Sequence, residues 1–329
     1  MTIDIKKEDL EKDLSTFPTQ QHIADKYGCT QGTISNKIKE FELTKVIPLT
    51  PRDPKVEYPA MSWEATKEML ISIQEENSPT VGYNEVDIKI ETKSKILGIP
   101  IMDLHLGSRY TYSDDLIELV EFIAENPQVY TGINGDLADN YNTSAYKGGQ
   151  VEQRLPIQVQ KSMVENLVKK LSGNILWFVN GCHDEWSYYN DGFDLAQYLA
   201  HKDQQGYYMG HGGRVNLTIG ETLYKLFVIH NTYRNSSIND GHGLRWVCRE
   251  HFGYDLAIKG HNHQPSIDCF FMRKKPRYSM CGNAWKGQDR HGSKVGYPPV
   301  GNTTPGFLLE PKKKKIILAL NYKDLVKYL

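Results

Sequence analysis

Five times along this sequence an apolar run ends in an acid or a histidine. Ile96 to Met102 runs into Asp103-Leu104-His105, and Val129 to Ile133 leads to Gly135-Asp136-Leu137-Ala138-Asp139. Ile175 to Val179 leads to Gly181-Cys182-His183-Asp184. Leu223 to Ile229 ends at His230-Asn231, and Leu256 to Ile258 leads to Gly260-His261-Asn262-His263. Carboxylate and imidazole together suit Mn2+, Fe and Zn2+, whereas an all-oxygen set would suit Mg2+ or Ca2+. The neighbouring glycines let the backbone turn sharply and come close to an ion or a phosphate. Singly each match is weak, because a strand-terminal Asp often only caps a helix and a lone His is commonly a satisfied core residue. Their recurrence is what points to a metal centre.

The elements that must position these residues follow from the pattern around them. From about Lys95 onward, apolar strand-like runs alternate with helical patterns, the signature of an α/β domain. The clearest helix spans roughly Leu155 to Leu171, with Ile157, Val164, Leu167, Val168 and Leu171 inward and Lys161, Glu165 and Lys169 outward. In α/β sheets functional groups gather just beyond the carboxyl ends of strands, so five such ends could converge on one cleft.

The order DxH, GDxxD, G-x-H followed by an acid, a separate His, and GHxH resembles the calcineurin-like metallophosphoesterase family, from Asp103 to His263. The resemblance implies an α/β fold, a β-sandwich flanked by helices in four α/β/β/α layers. It implies that Asp103, His105 and His263 bind one divalent ion, that His230 and His261 bind a second, and that Asp136 bridges them. Two such ions, about 3.5–4 Å apart, can acidify a shared water, the bridging hydroxide of an in-line attack. His183 would not be a ligand but would assist the leaving oxygen. Asp139 and Asp184 would orient imidazoles. The expected ions are two Mn2+. One position departs from the family pattern, which has Asn where this sequence has Cys182. A thiolate there would tilt the second position toward Zn2+ or Fe2+. A Cys182 that stays protonated would leave a weak second site, with Asn180 or Asn231 supplying an amide oxygen.

The first forty-odd residues read as short helices. Asp9 to Leu14 forms a first helix, broken by a Thr16-Phe17-Pro18 turn, with Thr19 as the next N-cap. Ile23, Ala24 and Tyr27 fall at helical spacing, Gly28 reads as a left-handed C-cap, and Thr30 caps a further helix with Ile34, Ile38 and Phe41 inward. Ala24, Gly28 and Ile34 stand where a helix-turn-helix needs a small residue, a turn glycine and a branched apolar residue, and the segment resembles that superfamily. Its second helix would present Gln31, Thr33, Ser35, Asn36 and Lys37 to a DNA groove. The competing reading is a small helical bundle for protein contact.

Three segments result: residues 1–43 as the helix-turn-helix domain, 44–94 as a linker, and 95–329 as the metallophosphoesterase domain. In the linker, Pro48, Pro51, Pro54 and Pro59 mark extended chain. An amphipathic helix with Trp63, Thr66, Met69, Leu70 and Ile73 on one side should pack on one of the domains, and Val86 to Ile90 alternates like an edge strand. Lys312 to Lys315 reads as a solvated turn before the strand Ile316 to Leu320.

Composition sets the remaining bounds. With 39% hydrophobic and 24% charged residues and a net charge of −1, the chain is an ordinary globular one that neither suggests nor excludes nucleic acid. No apolar run spans a membrane and no secretory signal opens the sequence, so no membrane partner is expected. The cysteines Cys29, Cys182, Cys248, Cys269 and Cys281 are an odd, scattered set, which indicates reduced thiols in a cytoplasm, bacterial or phage-infected. A homo-oligomer is not excluded.

Together the two resemblances imply a DNA-directed phosphodiesterase or nuclease, similar to the repair-nuclease branch of the family, with DNA as partner. Tyr141, Tyr146, Arg154, Trp186, Tyr188, Tyr189, Arg234 and Arg245 are candidates to line a polynucleotide path. The alternatives are a phosphatase or phosphodiesterase acting on small nucleotides, and a DNA-binding regulator with a non-catalytic metal centre.

Overall fold

The computed structural model describes residues 5–16, 20–41, 43, 62–76, 84–142, 149–202, 206–233, 236, 239, 241–250, 253–296 and 303–329. Thr19 and the four linker prolines lie outside these residues. The chain divides into two compact units, Met1–Ser78 and Pro79–Leu329.

The first unit contains α1 (Lys7–Thr16), α2 (Gln20–Lys26), α3 (Gln31–Glu40) and α4 (Trp63–Glu76). Ile5, Leu10, Leu14, Ile23, Ala24 and Ile34 form its buried core, with Tyr27, Ile38 and Phe41 against it. Gly28 turns the chain at φ +60°, and Thr30 caps α3 by accepting the Thr33 N–H at 3.3 Å. The first helix is longer than its apolar spacing indicated. Asp13, buried on α1, bonds Lys26 and Tyr27 at 2.7 Å each and ties α1 to α2. The helix expected in the linker is α4, on which Trp63, Met69 and Leu70 are exposed.

The second unit opens with β1 (Asn84–Ile90) and β2 (Ile96–Gly98), followed by α5 (Ser113–Glu125), β3 (Val129–Asn134), α6 (Gly149–Glu152) and α7 (Ile157–Lys170). Next come β4 (Ile175–Val179), α8 (Cys182–Asp191), α9 (Leu195–Lys202), β5 (Tyr207–Tyr208) and the antiparallel pair β6 (Gly212–Ile219) and β7 (Thr222–Ile229). The chain continues through α10 (His242–Glu250), β8 (Leu256–Lys259) and the hairpin of β9 (Ser266–Met272) and β10 (Lys275–Cys281). It closes with α11 (Arg290–Val295), β11 (Gly306–Leu309), β12 (Ile316–Ala319) and α12 (Lys323–Val326).

Two six-stranded mixed sheets result, ordered β1-β6-β7-β8-β10-β9 and β12-β11-β2-β3-β4-β5. Side chains alternate across a strand, and the cores show where each face goes. Tyr224, Leu226 and Val228 of β7 join Leu176, Trp177 and Val179 of β4 in the core between the sheets. The intervening Phe227 and Ile229 pack with Leu244, Val247 and Cys248 of α10 on the outer face. Leu97, Val129 and Phe178 of the second sheet pack outward on Leu119 of α5, Val164 and Val168 of α7 and Leu195 of α9. The layering is therefore α/β/β/α. Val86 to Ile90 lies in β1, at the edge of the first sheet and parallel to β6. The run Ile96 to Met102 is shorter as a strand than as a sequence pattern. Pro100 has no N–H to donate, and pairing with β11 stops at Gly98.

In each sheet three parallel neighbours present their carboxyl ends at one edge: β2, β3 and β4 in one, and β7, β8 and β10 in the other. All five predicted loops leave from these edges. No helix among the described residues is long and apolar enough to cross a membrane.

Candidate metal centre

The loops that leave the strands are bent into an uncommon conformation. Asp103, His105, Asp136, His261 and His263 all have left-handed backbones, with φ between +46° and +70°. Each costs on the order of 1 kcal/mol or more, and such strain persists where the surroundings fix it. Here backbone bonds cross-brace the loops: Asp103 N–H to the Gly135 carbonyl and His105 N–H to the Asp136 carbonyl, each 3.0 Å. Gly135 and Gly181 are needed because the second and third loops touch backbone to backbone. A Cβ on Gly181 would lie 2.0 Å from the Asp136 nitrogen.

This bracing gathers the donors. Among the described residues, four sets of three have ligand atoms within 4.8 Å of one another: Asp103/His105/His263, Cys182/His230/His261, Asp103/Asp136/His230 and His105/Asp136/His183. The Nε2 atoms of His105 and His263 stand 3.2 Å apart. Two nitrogens sharing one ion at about 2.1 Å would be separated by roughly 3.0–3.4 Å. His230 donates its Nδ1 proton to the Asn134 carbonyl at 2.7 Å, leaving a buried Nε2 with no hydrogen-bond partner, 3.3 Å from Asp136 Oδ2. Asp136, common to two sets, also accepts the His183 N–H at 2.7 Å.

Electrostatics match this arrangement at three imidazoles; at His230 burial works against the charge, but Asp136 holds the ring well above the usual imidazole range, so it must release a proton to take an ion. Burial holds His105 and His263 well below the usual imidazole range and brings His261 to about 4, so all three keep a free lone pair for a cation. Burial pushes Asp103 up to about 8. Burial would also raise Asp136, but His230 and His183 hold its carboxyl well below the ordinary value. Buried carboxylates, lone-pair imidazoles and an unpartnered imidazole nitrogen form a donor set that a divalent cation satisfies.

His183 is fixed on several sides. Its Nδ1 donates to the Asp139 carbonyl oxygen at 2.7 Å, Asn140 Nδ2 donates to the His183 carbonyl at 2.6 Å, and the His183 ring stacks on Trp186 with centroids 3.9 Å apart. Tyr141 packs edge-on at 5.1 Å. The two acids expected to orient imidazoles are placed differently. Asp139 orients His183 through its backbone carbonyl, while its carboxylate meets Lys286 Nζ at 3.1 Å and His105 Nδ1 at 3.5 Å. Asp184 faces no imidazole in its hydrogen bonds; it accepts the backbone N–H groups of Asp136, Gly181 and Leu137 at 2.8, 3.0 and 3.3 Å. From the third position of α8 the Asp184 carboxylate reaches back to the Gly181 N–H as a helix cap, and the close approach of the second and third loops brings the Asp136 and Leu137 N–H groups to the same oxygens.

Lys286 was missed by the sequence reading, which searched strand ends only for acids and histidines. It stands past the end of β10 as the others stand past theirs, with its side chain 5% exposed and bridging Asp139 and Asp289. Asn140 was missed too.

The remaining candidates are scattered. Tyr188 and Tyr189 are exposed on α8, and Arg154 is exposed. Arg245 is engaged with Asp268, 2.6 Å from Nε, so its charge is neutralised locally. Tyr146 and Arg234 lie outside the described residues. In the first unit Gln31 and Asn36 are exposed and Thr33, Ser35 and Lys37 half-buried, with Lys37 paired to Glu40 at 2.9 Å.

No protein-family model and no curated protein matches this sequence. Solved structures similar to the chain include a predicted phosphoesterase from Streptococcus pneumoniae, at 11% identity and TM-score 0.37 over 70% of this chain and 92% of that one. A metallophosphoesterase from Sphaerobacter thermophilus is similar at 13% identity and TM-score 0.35, over 68% and 87%. The nuclease MPE of Pseudomonas putida is similar at 12% identity and TM-score 0.30, over 68% and 87%. These likenesses are distant, and what the chain can do rests on its own side chains.

Proposed function

We propose that the chain is a metal-dependent phosphoesterase of the calcineurin-like kind, and that its substrate is DNA. The observation that carries the first statement is the convergence of donor atoms from five strand-end loops, three of them held by left-handed backbones. Asp103, His105 and His263 would hold one divalent ion, His230 and His261 with Cys182 a second, and Asp136 would be shared. Bound there, two such ions supply Lewis-acid charge and an activated water for in-line displacement at phosphorus.

The protein's own groups supply the rest. Because a carbonyl can only accept, the Asp139 oxygen fixes a proton on Nδ1 of His183, and Nε2 is the atom free to hold a proton at the leaving oxygen. Trp186 and Tyr141 keep that ring from turning. Asp184 pins the loop that carries Asp136.

DNA as substrate is supported by two features. The first unit has the short-helix, turn-glycine, capped-helix order of a helix-turn-helix, with polar residues on the outer side of α3. Beside His183, the partly exposed rings of Tyr141 and Trp186, with centroids 5.1 Å apart, give a leaving nucleoside a surface to stack on. The test is cleavage of single- and double-stranded DNA by the purified chain with Mn2+. Cleavage lost in His183→Ala supports the reading. Turnover of small nucleotides with DNA untouched would make it a nucleotide phosphodiesterase. Site-specific DNA binding without hydrolysis would make it a regulator.

A further inference from the structure

We infer that Cys182 is a thiolate ligand of the second ion and makes that position selective for Zn2+, so that the two metal positions are chemically unequal. The inference rests on the two-metal reading above and deepens it. Cys182 opens α8 and its Sγ lies 3.6 Å from His261 Nδ1. A tetrahedral ion with bonds of about 2.3 Å to sulfur and about 2.05 Å to nitrogen sets those two atoms roughly 3.6 Å apart. The buried, unpartnered Nε2 of His230 belongs to the same set of three.

Of the two amides that could replace the sulfur, Asn231 has its oxygen engaged, whereas Asn180 is anchored through Nδ2 and keeps a buried Oδ1 with no hydrogen-bond partner. Asn180 Nδ2 is anchored on Asp194 Oδ2 at 2.6 Å and Tyr208 Oη at 3.2 Å. Asn231 turns its Nδ2 toward Cys182 Sγ, 4.0 Å away, and its Oδ1 accepts the Thr232 N–H at 2.7 Å. The other set, Asp103, His105 and His263, offers only oxygen and nitrogen. Sulfur with two imidazoles favours Zn2+, whereas the carboxylate-imidazole position accepts Mn2+. On binding, the S–H proton passes to solvent and the sulfur lone pair forms the metal bond.

The test is a Co2+ titration of the metal-free full chain. The expected result is a sulfur-to-cobalt charge-transfer absorption that saturates at one Co2+ per chain, is displaced by Zn2+, and is lost in both Cys182→Asn and Cys182→Ser. In the unmutated chain, Zn2+ should protect Cys182 from iodoacetamide, read by peptide mass mapping, while the exposed Cys269 stays reactive. Co2+ bound without the band, a band that survives in both variants, or Cys182 alkylated equally with and without Zn2+ would overturn the thiolate and leave the two-metal reading standing. A chain that binds neither Co2+ nor Zn2+ overturns both.

Discussion

Lys286 has a larger structural share of this centre than its distance from the five motifs indicates. Its ammonium is almost fully buried between Asp139 and Asp289, and Asp139 in turn contacts His105 and positions His183. Burial would discharge Lys286, but Asp139 and its neighbours raise it above the ordinary lysine value, so it stays charged. Removing one partner of a buried pair leaves the other charge uncompensated, at about 3 kcal/mol. Lys286→Met should therefore destabilise the second unit by about that amount in urea unfolding. Lys286→Met with Asp139→Asn should recover part of the loss, because neither charge remains. An unchanged urea midpoint in the single variant would show that the pair contributes nothing. Neither residue's partnership was legible in the sequence, since 147 positions separate them. Asp139 itself was found only because it stands in a spaced motif.

At the scale of elements, α8 delivers Cys182 and His183 to the centre from its first turn, and its entry depends on Gly181. Gly181→Ala would place a methyl 2.0 Å from the Asp136 nitrogen, so the second and third loops must part. The expected outcome is a folded chain with unchanged far-ultraviolet circular dichroism and metal affinity reduced at least tenfold, measured by calorimetric titration. Unaltered affinity would show that the loops can separate freely. In the first unit the corresponding tie is Asp13. Burial works against its charge, but Lys26 and Tyr27 hold its carboxyl below the ordinary carboxylate value. A lowered carboxyl pKa contributes stability that is present above the unfolded value and lost as pH falls through the folded one. Asp13→Asn should thus lower the melting temperature of the first unit at neutral pH, followed by the NMR signal of Ile34. The gap to the unmutated chain should close below about pH 3.8. A gap that persists at pH 2 would contradict the assignment. The strands before the motifs and the capped α3 were legible because period-two and helical patterns and cap chemistry are local. The parallel pairing of β1 with β6 and the exposed face of α4 were not, because each depends on what lies opposite, whereas Pro100 could have marked the early end of β2.

For the whole molecule, the convergence of the loops was legible as a rule about strand ends, and the two sheets explain why it holds. Three parallel strands in each sheet end at one edge, so residues from Asp103 to Lys286 meet although the chain visits both sheets between them. If the first unit acts by holding DNA near this edge, deleting residues 1–78 should raise the KM for DNA while leaving turnover of bis(p-nitrophenyl) phosphate unchanged. Equal loss on both substrates would mean that the first unit is needed for folding instead. The metal centre alone is tested most directly by hydrolysis of bis(p-nitrophenyl) phosphate by the chelator-stripped chain, before and after adding divalent metal. Activity should be restored by Mn2+ or Zn2+ and abolished by Asp136→Ala in a protein that remains folded. No hydrolysis with any of Mn2+, Zn2+ or Fe2+, or equal hydrolysis by Asp136→Ala, would contradict it.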